Sequence, residues 1–502
     1  MSTAPRTLSS SGNNDKRYIT PHPGGFPIAT DHMIGDQVVS GESGNRIDVL
    51  NPSTGEVLTS VADGGLAEGA AAVDAAAAAA ASWAATAPRE RATILQECYR
   101  AMMAEADWLA HLISLESGKA LSDARGEVAY AAEFFRWYGE EAVRINGELA
   151  VAPAGANRIL VQYQPIGIAY LITPWNFPAA MATRKIAPAL AAGCTCILKP
   201  SEETPLTALA VAEIMRKAGV PAGVVNVINT STPGPVTQAI LRDPRVRKLS
   251  FTGSTIIGRL LLREAADCVV SSSMELGGNA PFIVLDDADL EAAIEGAMIA
   301  KMRNGGEACT AANRFYVQRG IHDAFVAKLV EAMGALKVGA GTDSATQCGA
   351  MINAKAIAKI TLLVGDAVER GATVELGGKA PERAGFFYQP SVLSSVPHDA
   401  TILREEVFGP VAAVVPFDDV EQAIEMANAT EYGLAAYVFT QDLKRGLQIS
   451  EQIECGMVAL NRGLVSDPAA PFGGVKQSGL GREGSHHGLH EYTEPKYIAV
   501  SW

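Results

Sequence analysis

Two observations in the sequence predict an α/β fold built on a doubly wound, mostly parallel sheet. From Ile166 onward, short apolar runs alternate with helix-forming stretches, a pattern typical of parallel strands joined by helices. Small or polar residues follow successive predicted strands, as in sheets that bind ligands at the carboxyl ends of their strands. The 502 residues are enough for two or three domains of this kind.

The segment before the first predicted unit is mostly helix-forming. Residues 67–144 carry leucines, alanines and aromatics at helical spacing, and the run Ala75–Ala81 favours helix. That run is too short and too weakly apolar to cross a bilayer, so we expect no membrane association. ILVQYQP at 159–165 predicts a strand outside the main sheet, and we expect the C-terminal segment LHEYTEPKYIAVSW to pair with it.

The first α/β unit contains four predicted strands, at 166–172, 196–199, 224–229 and 248–254. Helices are predicted between them, one of them ending at Gly219, a residue type that often terminates helices. The fourth strand leads into a helix with Ile256, Ile257, Leu260 and Leu261 on one face, as in an amphipathic core helix.

A second α/β unit begins at 281–285. It continues through RFYVQ, a helix over 324–336, a strand starting at Val411 and the run YVFT at 437–440. We place the boundary between the two units near 275–279.

Composition narrows the class of protein. A formal net charge of −14 argues against nucleic-acid binding, which needs clustered lysines and arginines. Seven cysteines, an odd number over a long chain, indicate reduced thiols and a cytoplasmic protein. The polar residues 1–15 lack the apolar stretch of a signal peptide and are expected to be a disordered leader.

Three predicted strand ends together indicate a dinucleotide site. A helix begins after the third strand end, and its free backbone N–H groups are suited to bind a pyrophosphate. At the second strand end, a lysine and a glutamate are suited to bind ribose hydroxyls. The residues concerned are Thr173, Trp175 and Asn176, then Lys199, Ser201 and Glu202, then Thr252, Gly253 and Ser254.

Residues 479–484 match the G-x-G-x-x-G dinucleotide pattern. The chain ends before the strand, helix and acidic residue that this motif requires, so we interpret the segment as a glycine-rich surface loop.

Cys309 is the strongest candidate for a nucleophile. Its neighbours are small or polar, and Gly305 and Gly306 allow a tight turn close to a substrate. Most cysteines are apolar filler, and the other six are interpreted in that way. Glu275, followed by Gly277 and Gly278 near the domain boundary, is the candidate general base, because a desolvated carboxylate can titrate near neutrality.

The sequence resembles the aldehyde dehydrogenase superfamily over nearly its whole length after the leader. The resemblance rests on motifs in a fixed order: PWNFP (174–178), KPSEETP (199–205), FTGS (251–254), MELGGNAP (274–281), NGGEACTAANR (304–314), EEVFGP (405–410) and PFGGVKQSGLGREG (471–484).

This resemblance implies NAD(P)-dependent oxidation of an aldehyde to an acid. Cys309 would attack the aldehyde, Asn176 and the Cys309 backbone N–H would form the oxyanion hole, and Glu275 would activate the water that hydrolyses the thioester. Leu276, Glu406 and Phe408 join the cofactor-binding residues on the same basis. Glu307 stands where glutamine is common in the family.

The resemblance is greatest to the succinate-semialdehyde branch, in which two arginines hold the substrate's far carboxylate. Arg184, Arg303 and Ser466 match its substrate-binding residues, and guanidinium groups bind carboxylates bidentately. As isolated residues, either arginine could instead form a structural ion pair. The expected substrate is succinate semialdehyde, with glutarate semialdehyde or another aldehyde as the alternative.

The resemblance also implies three domains and an oligomer. Residues 16–147 and 166–277 would bind NAD(P), 278–484 would form the catalytic domain, and 148–165 with 485–502 would form a small β arm that joins subunits into a dimer or tetramer. Glu202 favours NAD by repelling a 2′-phosphate, with NADP as the alternative. No metal is expected.

Two other classes of function were weighed against the dehydrogenase. A cofactor-independent cysteine hydrolase would use Cys309 but would leave the three polar strand ends without a purpose. A non-catalytic binding or structural protein would have no need of Cys309, Glu275 and Asn176 together.

Overall fold

The computed structural model describes residues 17–19 and 25–501, so the leader predicted at 1–15 lies outside it. The strands are β1 Tyr18–Ile19, β2 Ile28–Ala29, β3 His32–Ile34, β4 Gln37–Val39, β5 Arg46–Leu50, β6 Val57–Ala62, β7 Glu148–Val151, β8 Arg158–Pro165, β9 Ile168–Ile172, β10 Thr195–Lys199, β11 Val225–Val227, β12 Val246–Thr252, β13 Ser271–Glu275, β14 Ala280–Val284, β15 Ala312–Gln318, β16 Thr373–Leu376, β17 Ser391–Ser394, β18 Val411–Phe417, β19 Ala435–Phe439, β20 Met457–Leu460, β21 Gly479–Leu480 and β22 Thr493–Val500.

The α-helices cover both main sheets. They are α1 Leu66–Ala85, α2 Pro88–Ala104, α3 Ala106–Ser117, α4 Leu121–Glu141, α5 Pro178–Ala192, α6 Pro205–Lys217, α7 Pro233–Arg242, α8 Thr255–Ala266, α9 Leu290–Met302, α10 Arg319–Gly334, α11 Ala354–Glu369, α12 Val420–Asn428, α13 Leu443–Gln452 and α14 Ser485–His490. In the part of the chain that the structure describes, no single helix is long and apolar enough to span a membrane. Only α1 and α2 taken together, bent by 118°, meet the length and composition required.

The first main sheet has the strand order β21-β13-β12-β9-β10-β11-β3-β4. Strands β9 to β13 run parallel, whereas β3, β4 and β21 extend the edges in antiparallel fashion. The central strands β9 and β10 are buried along their whole length, as expected for a sheet with helices on both faces. The predicted doubly wound sheet is therefore confirmed.

The second main sheet has the order β16-β17-β18-β15-β14-β19-β20, with a parallel centre. A small third sheet has the order β22-β8-β7 and is antiparallel throughout. The predicted pairing of the C-terminal strand with 159–165 is confirmed, from Thr493 opposite Pro165 to Val500 opposite Arg158.

Two sequence interpretations were wrong. The face of α8 expected to enter the core is mostly exposed: Ile256, Ile257 and Leu260 lie at the surface, and only Leu261 is buried. The helix packs instead through Gly258, where a Cβ atom would lie 2.4 Å from Leu276, so close approach of the backbone decides which face is buried.

The segment 479–484 is not a surface loop. Gly479 and Leu480 form strand β21 and pair with Glu275 and Met274 at the edge of the first sheet. A Cβ atom on Gly479 would lie 2.1 Å from the Met274 carbonyl oxygen, so glycine is needed for this pairing. The glycines therefore bring the C-terminal region against the strand that carries Glu275.

Candidate active site

The cysteine loop, residues 303–309, follows α9 and turns back sharply towards β15. Asn304, Gly305 and Gly306 all have positive φ angles, of 55°, 59° and 80°. A Cβ atom on Gly306 would lie 2.2 Å from the Gly409 carbonyl oxygen, so the two glycines are required both for the turn and for close packing. Cys309 is half-buried and lies at the end of this loop.

Asn176 is tied to the cysteine loop by its side chain and its backbone. Its Nδ2 donates to the Glu307 carbonyl oxygen at 3.1 Å, and Asn304 Nδ2 donates to the Asn176 carbonyl oxygen at 2.9 Å. The backbone N–H of Phe177 donates to Asn176 Oδ1 at 3.1 Å, which orients the amide. These bonds hold an amide donor beside the loop that presents Cys309.

A buried ion pair supports Asn176 from behind. Lys119 Nζ donates to the Asn176 carbonyl oxygen and to Glu127 Oε2, both at 2.6 Å. Glu127 Oε1 accepts from the backbone N–H of Ala179 at the start of α5, at 2.8 Å. The pair satisfies the helix terminus and links α4 to the segment carrying Asn176. No sequence pattern predicts this pair, because nothing in the sequence shows that Lys119 and Asn176 meet.

Glu275 is the last residue of β13 and is almost fully buried. Neither carboxyl oxygen has a hydrogen-bond partner among the described residues. Burial, followed by the negative charge of Glu483, raises the pKa of Glu275 well above its usual range. A carboxyl group with no protein partner and a raised pKa is suited to take a proton from water near neutral pH.

The thiol of Cys309 lies in an environment of mixed charge. Burial raises its pKa to about 12, and the negative charges of Glu406 and Glu275 act in the same direction. Arg184 and Arg303 act in the opposite direction and favour the thiolate. The two arginines therefore also influence the protonation of the Cys309 thiol.

A cavity of about 340 Å³ reaches Cys309 from the carboxyl ends of the first sheet's strands. Eight of the twelve residues predicted to bind the cofactor line it: Trp175, Asn176, Thr252, Gly253, Ser254, Leu276, Glu406 and Phe408. Thr173 follows β9, Lys199 is the last residue of β10, and Ser201 and Glu202 come just after it. These four residues lie at the same edge of the sheet but are not part of this wall.

Four features of this cavity fit a dinucleotide. The Thr252 hydroxyl is buried and has no partner among the described residues. Ser254 caps the N-terminus of α8, which opens on the cavity. Gly277 leaves space beside Glu406, where a Cβ atom would lie 3.1 Å from Glu406 Oε2. The aromatic rings of Trp175 and Phe408 meet edge to face at the same wall, 5.2 Å apart.

The structure adds two lysines that the sequence did not identify. Lys355 and Lys359, on the first turns of α11, line the cavity and supply positive charge. Burial raises the pKa of Glu406 to about 7, whereas the charges of Lys359 and Lys301 lower it. No motif marks these lysines, because α11 reaches the site only through the tertiary fold.

A second cavity, of about 240 Å³, lies beside the cysteine loop. Arg303 and Ser466 line it, together with Tyr130, Phe177 and residues of α4. Arg184 is not part of this wall and is nearly inaccessible. The structure therefore brings together two of the three predicted substrate-binding residues and places the third behind the wall.

Comparison with known proteins agrees with this arrangement. A family model described as the aldehyde dehydrogenase family matches residues 38–498. The chain belongs to the aldehyde dehydrogenase family. The prediction of an NAD(P)-dependent aldehyde dehydrogenase is thus confirmed.

Relatives within the aldehyde dehydrogenase family cover most of the chain. A succinate-semialdehyde dehydrogenase of Paenarthrobacter nicotinovorans is 54% identical over 89% of this chain and 99% of its own. A glutarate-semialdehyde dehydrogenase of Pseudomonas aeruginosa is 49% identical over 92% of this chain and 95% of its own. An Escherichia coli crystal structure described as an NADP-dependent enzyme has a TM-score of 0.93 at 49% identity, covering 95% of this chain and 98% of that one.

Glu307, which replaces a common glutamine of the family, is accommodated by protonation. It is buried, its Oε1 accepts from the Ile352 backbone N–H at 3.1 Å, and burial raises its pKa to about 8. A protonated glutamic acid has nearly the shape of glutamine and no charge, so the substitution places little negative charge beside Cys309 at neutral pH.

We predict that Lys119→Met lowers the free energy of unfolding by about 3–5 kcal/mol, because it leaves the Glu127 carboxylate buried without its cation. Urea unfolding followed by tryptophan fluorescence measures the change. Lys328→Met is the matched control, since Lys328 pairs with Glu291 at the surface and should have little effect. Equal effects of the two substitutions would contradict the role of the buried pair.

We also predict that alkylation of Cys309 by iodoacetamide accelerates by about tenfold per pH unit from pH 7 to 9, since a thiol with a pKa of about 12 is mostly protonated there. Arg303→Met should slow the reaction at each pH, because its charge favours the thiolate. Peptide mass spectrometry in a Cys268→Ser background separates Cys309 from the exposed Cys268. A plateau in the rate below pH 9 would contradict this account.

Proposed function

We propose that the protein oxidises succinate semialdehyde to succinate, with NAD as the preferred cofactor. The observation that carries the proposal is the cavity beside the cysteine loop, whose wall includes Arg303 and Ser466 and which we assign to the substrate chain. Arg303 has no ion-pair partner among the described residues, so its charge is available to a carboxylate. The name of the most identical relative reported above supports the same substrate.

In the first step, the thiolate of Cys309 attacks the aldehyde carbon and forms a C–S bond, and the π electron pair moves to oxygen. We assign the two hydrogen bonds to that oxygen to Asn176 Nδ2 and the backbone N–H of Cys309, since Asn176 Nδ2 carries a second hydrogen besides the one donated to the Glu307 carbonyl oxygen. The Cys309 N–H makes no other hydrogen bond within the described residues, so it is free for this role.

The residues that line the larger cavity would hold NAD(P), whose nicotinamide ring accepts a hydride and so supplies the oxidising power. Once the carbon bonded to Cys309 has lost that hydride, the oxygen electron pair would restore the C=O bond and leave a thioester on Cys309. Glu275 then takes a proton from water, the water oxygen attacks the thioester carbon, and the C–S bond breaks to release the acid and the Cys309 thiolate. The raised pKa of Glu275 makes it a stronger base than an ordinary carboxylate. Because Glu275 activates water, the acyl group is released by hydrolysis and is not transferred to a larger acceptor.

Glutarate semialdehyde is the second candidate substrate. It carries the same terminal carboxylate on a chain longer by one methylene, and a relative named for it is 49% identical. One methylene in an apolar pocket changes selectivity by only about 10–200-fold. Succinate semialdehyde is preferred here because the relative named for it is more similar over a comparable length.

The preference for NAD rests on Glu202. Its carboxylate lies 3.4 Å from Lys199 Nζ, at the strand end where a ribose is expected. A carboxylate at this place accepts from a ribose hydroxyl and repels a 2′-phosphate. Its pairing also occupies the lysine that a phosphate would otherwise use.

Association through the β arm is also part of the proposal. Leu149 and Val151 on β7, and Tyr497 and Ile498 on β22, are exposed apolar side chains of the small third sheet. Contact with a second subunit would remove these side chains from water. The proposed cytoplasmic location is supported by the seven cysteines, all of which are free thiols.

Initial-rate kinetics test the substrate proposal. We expect kcat/KM for succinate semialdehyde to exceed that for butanal by at least about tenfold, the effect of one charge-assisted hydrogen bond, with glutarate semialdehyde between them. Equal values for the charged and neutral aldehydes would contradict the proposed substrate.

Cys309→Ser should abolish NAD(P)H formation, and Glu275→Gln should leave a burst followed by a steady rate slower by about 10²–10⁴.

Cofactor choice is tested at Glu202. We expect Glu202→Gln to shift the ratio of kcat/KM values towards NADP by about tenfold or more, because it removes a negative charge and frees Lys199. Glu213→Gln is the control, since Glu213 pairs with Arg216 on α6 away from the cavity. An unchanged ratio would show that Glu202 does not set the preference.

A further inference from the structure

Arg184, which the sequence assigned to the substrate's carboxylate, is enclosed by aromatic side chains. Its guanidinium carbon lies 4.0 Å from the ring centre of Phe472 and 5.2 Å from that of Phe134. One nitrogen lies 3.6 Å from Glu483 Oε2, a carboxylate that also binds Lys185. Arg184 is therefore partly neutralised and shielded, and the cavity that contains Arg303 and Ser466 does not reach it.

Tyr130 lies between Arg184 and that cavity. Its ring is 5.5 Å from the Arg184 guanidinium carbon and 5.9 Å from the Arg303 guanidinium carbon. Tyr130 is half-buried and forms part of the cavity wall, opposite the cysteine loop on α4. The tyrosine is thus the group through which the buried arginine reaches the substrate space.

The hydrogen bond between the two residues has a fixed direction. A guanidinium has only donors, so Arg184 Nη2 donates to the Tyr130 hydroxyl oxygen. The hydroxyl keeps its own hydrogen, which makes no other hydrogen bond to the described residues and is free to donate. Because its oxygen accepts from a cation, this hydroxyl is polarised and becomes a stronger donor.

Arg303 supplies positive charge on the cavity wall. Arg303 stacks on the ring of Phe177 at 4.8 Å and has no carboxylate partner within the described residues. Glu127 is engaged with Lys119. Burial raises the pKa of Asp123, whereas the charges of Lys119 and Arg303 act in the opposite direction. The Asp123 carboxyl also accepts from the Asn304 backbone N–H.

We infer that the Tyr130 hydroxyl, oriented and polarised by Arg184, donates directly to the distal carboxylate of the semialdehyde beside Arg303 and Ser466. Arg184 is then a positioning residue and Tyr130 a specificity-determining one. The inference rests on the proposed function, because it identifies a further contact for the same substrate. It explains how an arginine that no solvent reaches can still select for a charged aldehyde.

Steady-state kinetics of Tyr130→Phe, Arg184→Lys and the double variant, with succinate semialdehyde and butanal, test the inference. Tyr130→Phe removes only the hydroxyl and keeps the ring that packs on both arginines. We expect it to raise the KM for succinate semialdehyde by about tenfold or more, the loss of one hydrogen bond to a charged group, with a much smaller change for butanal. Arg184→Lys should act similarly, and the double variant should add little to either single change.

Other outcomes distinguish failure of this inference from failure of the proposed function. Wild-type-like kinetics for Tyr130→Phe, or a double variant equal to the product of the single effects, would show that Arg184 contacts the carboxylate directly and would overturn the inference. A wild-type enzyme without preference for succinate semialdehyde would instead overturn the proposed function. Tyr99→Phe, which alters a tyrosine stacked with Arg136 outside the cavity, should match the wild type. Tyr130→Phe decides the matter alone if the Arg184 variants do not fold.

Discussion

The site depends on burying ionisable groups where the two main sheets meet. A thiol, a carboxyl without a partner and several ion pairs share a space from which most water is excluded. In such surroundings each charge strongly affects its neighbours, so the protonation of Cys309 and Glu275 is set by the residues around them rather than by their ordinary chemistry. Every buried cation nearby therefore has two consequences, one for stability and one for reactivity.

The bonds around Asn176 show how these demands are combined. Lys119 and Asn304 both donate to its carbonyl oxygen, and its amide donates into the cysteine loop. The same contacts that satisfy a buried lysine and a helix N-terminus thus hold an amide donor next to the loop that presents Cys309. Preorganisation of this kind avoids reorienting dipoles during the reaction, which is where much catalytic power originates.

Several features could be predicted from local sequence because local chemistry specifies them. Cys309 is recognisable because a turn through Asn304, Gly305 and Gly306 needs residues that tolerate positive φ. Apolar periodicity predicts the alternating strands and helices. It therefore also predicts where the strands end, at Thr252 and Lys199. The predicted burial of Ile256, Ile257 and Leu260 was wrong because periodicity shows that an apolar face exists, not what covers it.

The sequence by itself determined the fold class, predicted Cys309 and Glu275 as the reacting groups, and identified most of the predicted cofactor residues that line the larger cavity. Only the tertiary structure decided which distant residues complete the site. Lys119, Tyr130, Lys359 and Glu483 come from separate helices and loops and meet through packing alone, so no spacing reveals them. The tertiary fold likewise decided that Arg303 lines the smaller cavity whereas Arg184 lies behind an aromatic wall, because burial depends on neighbours that sequence distance does not show.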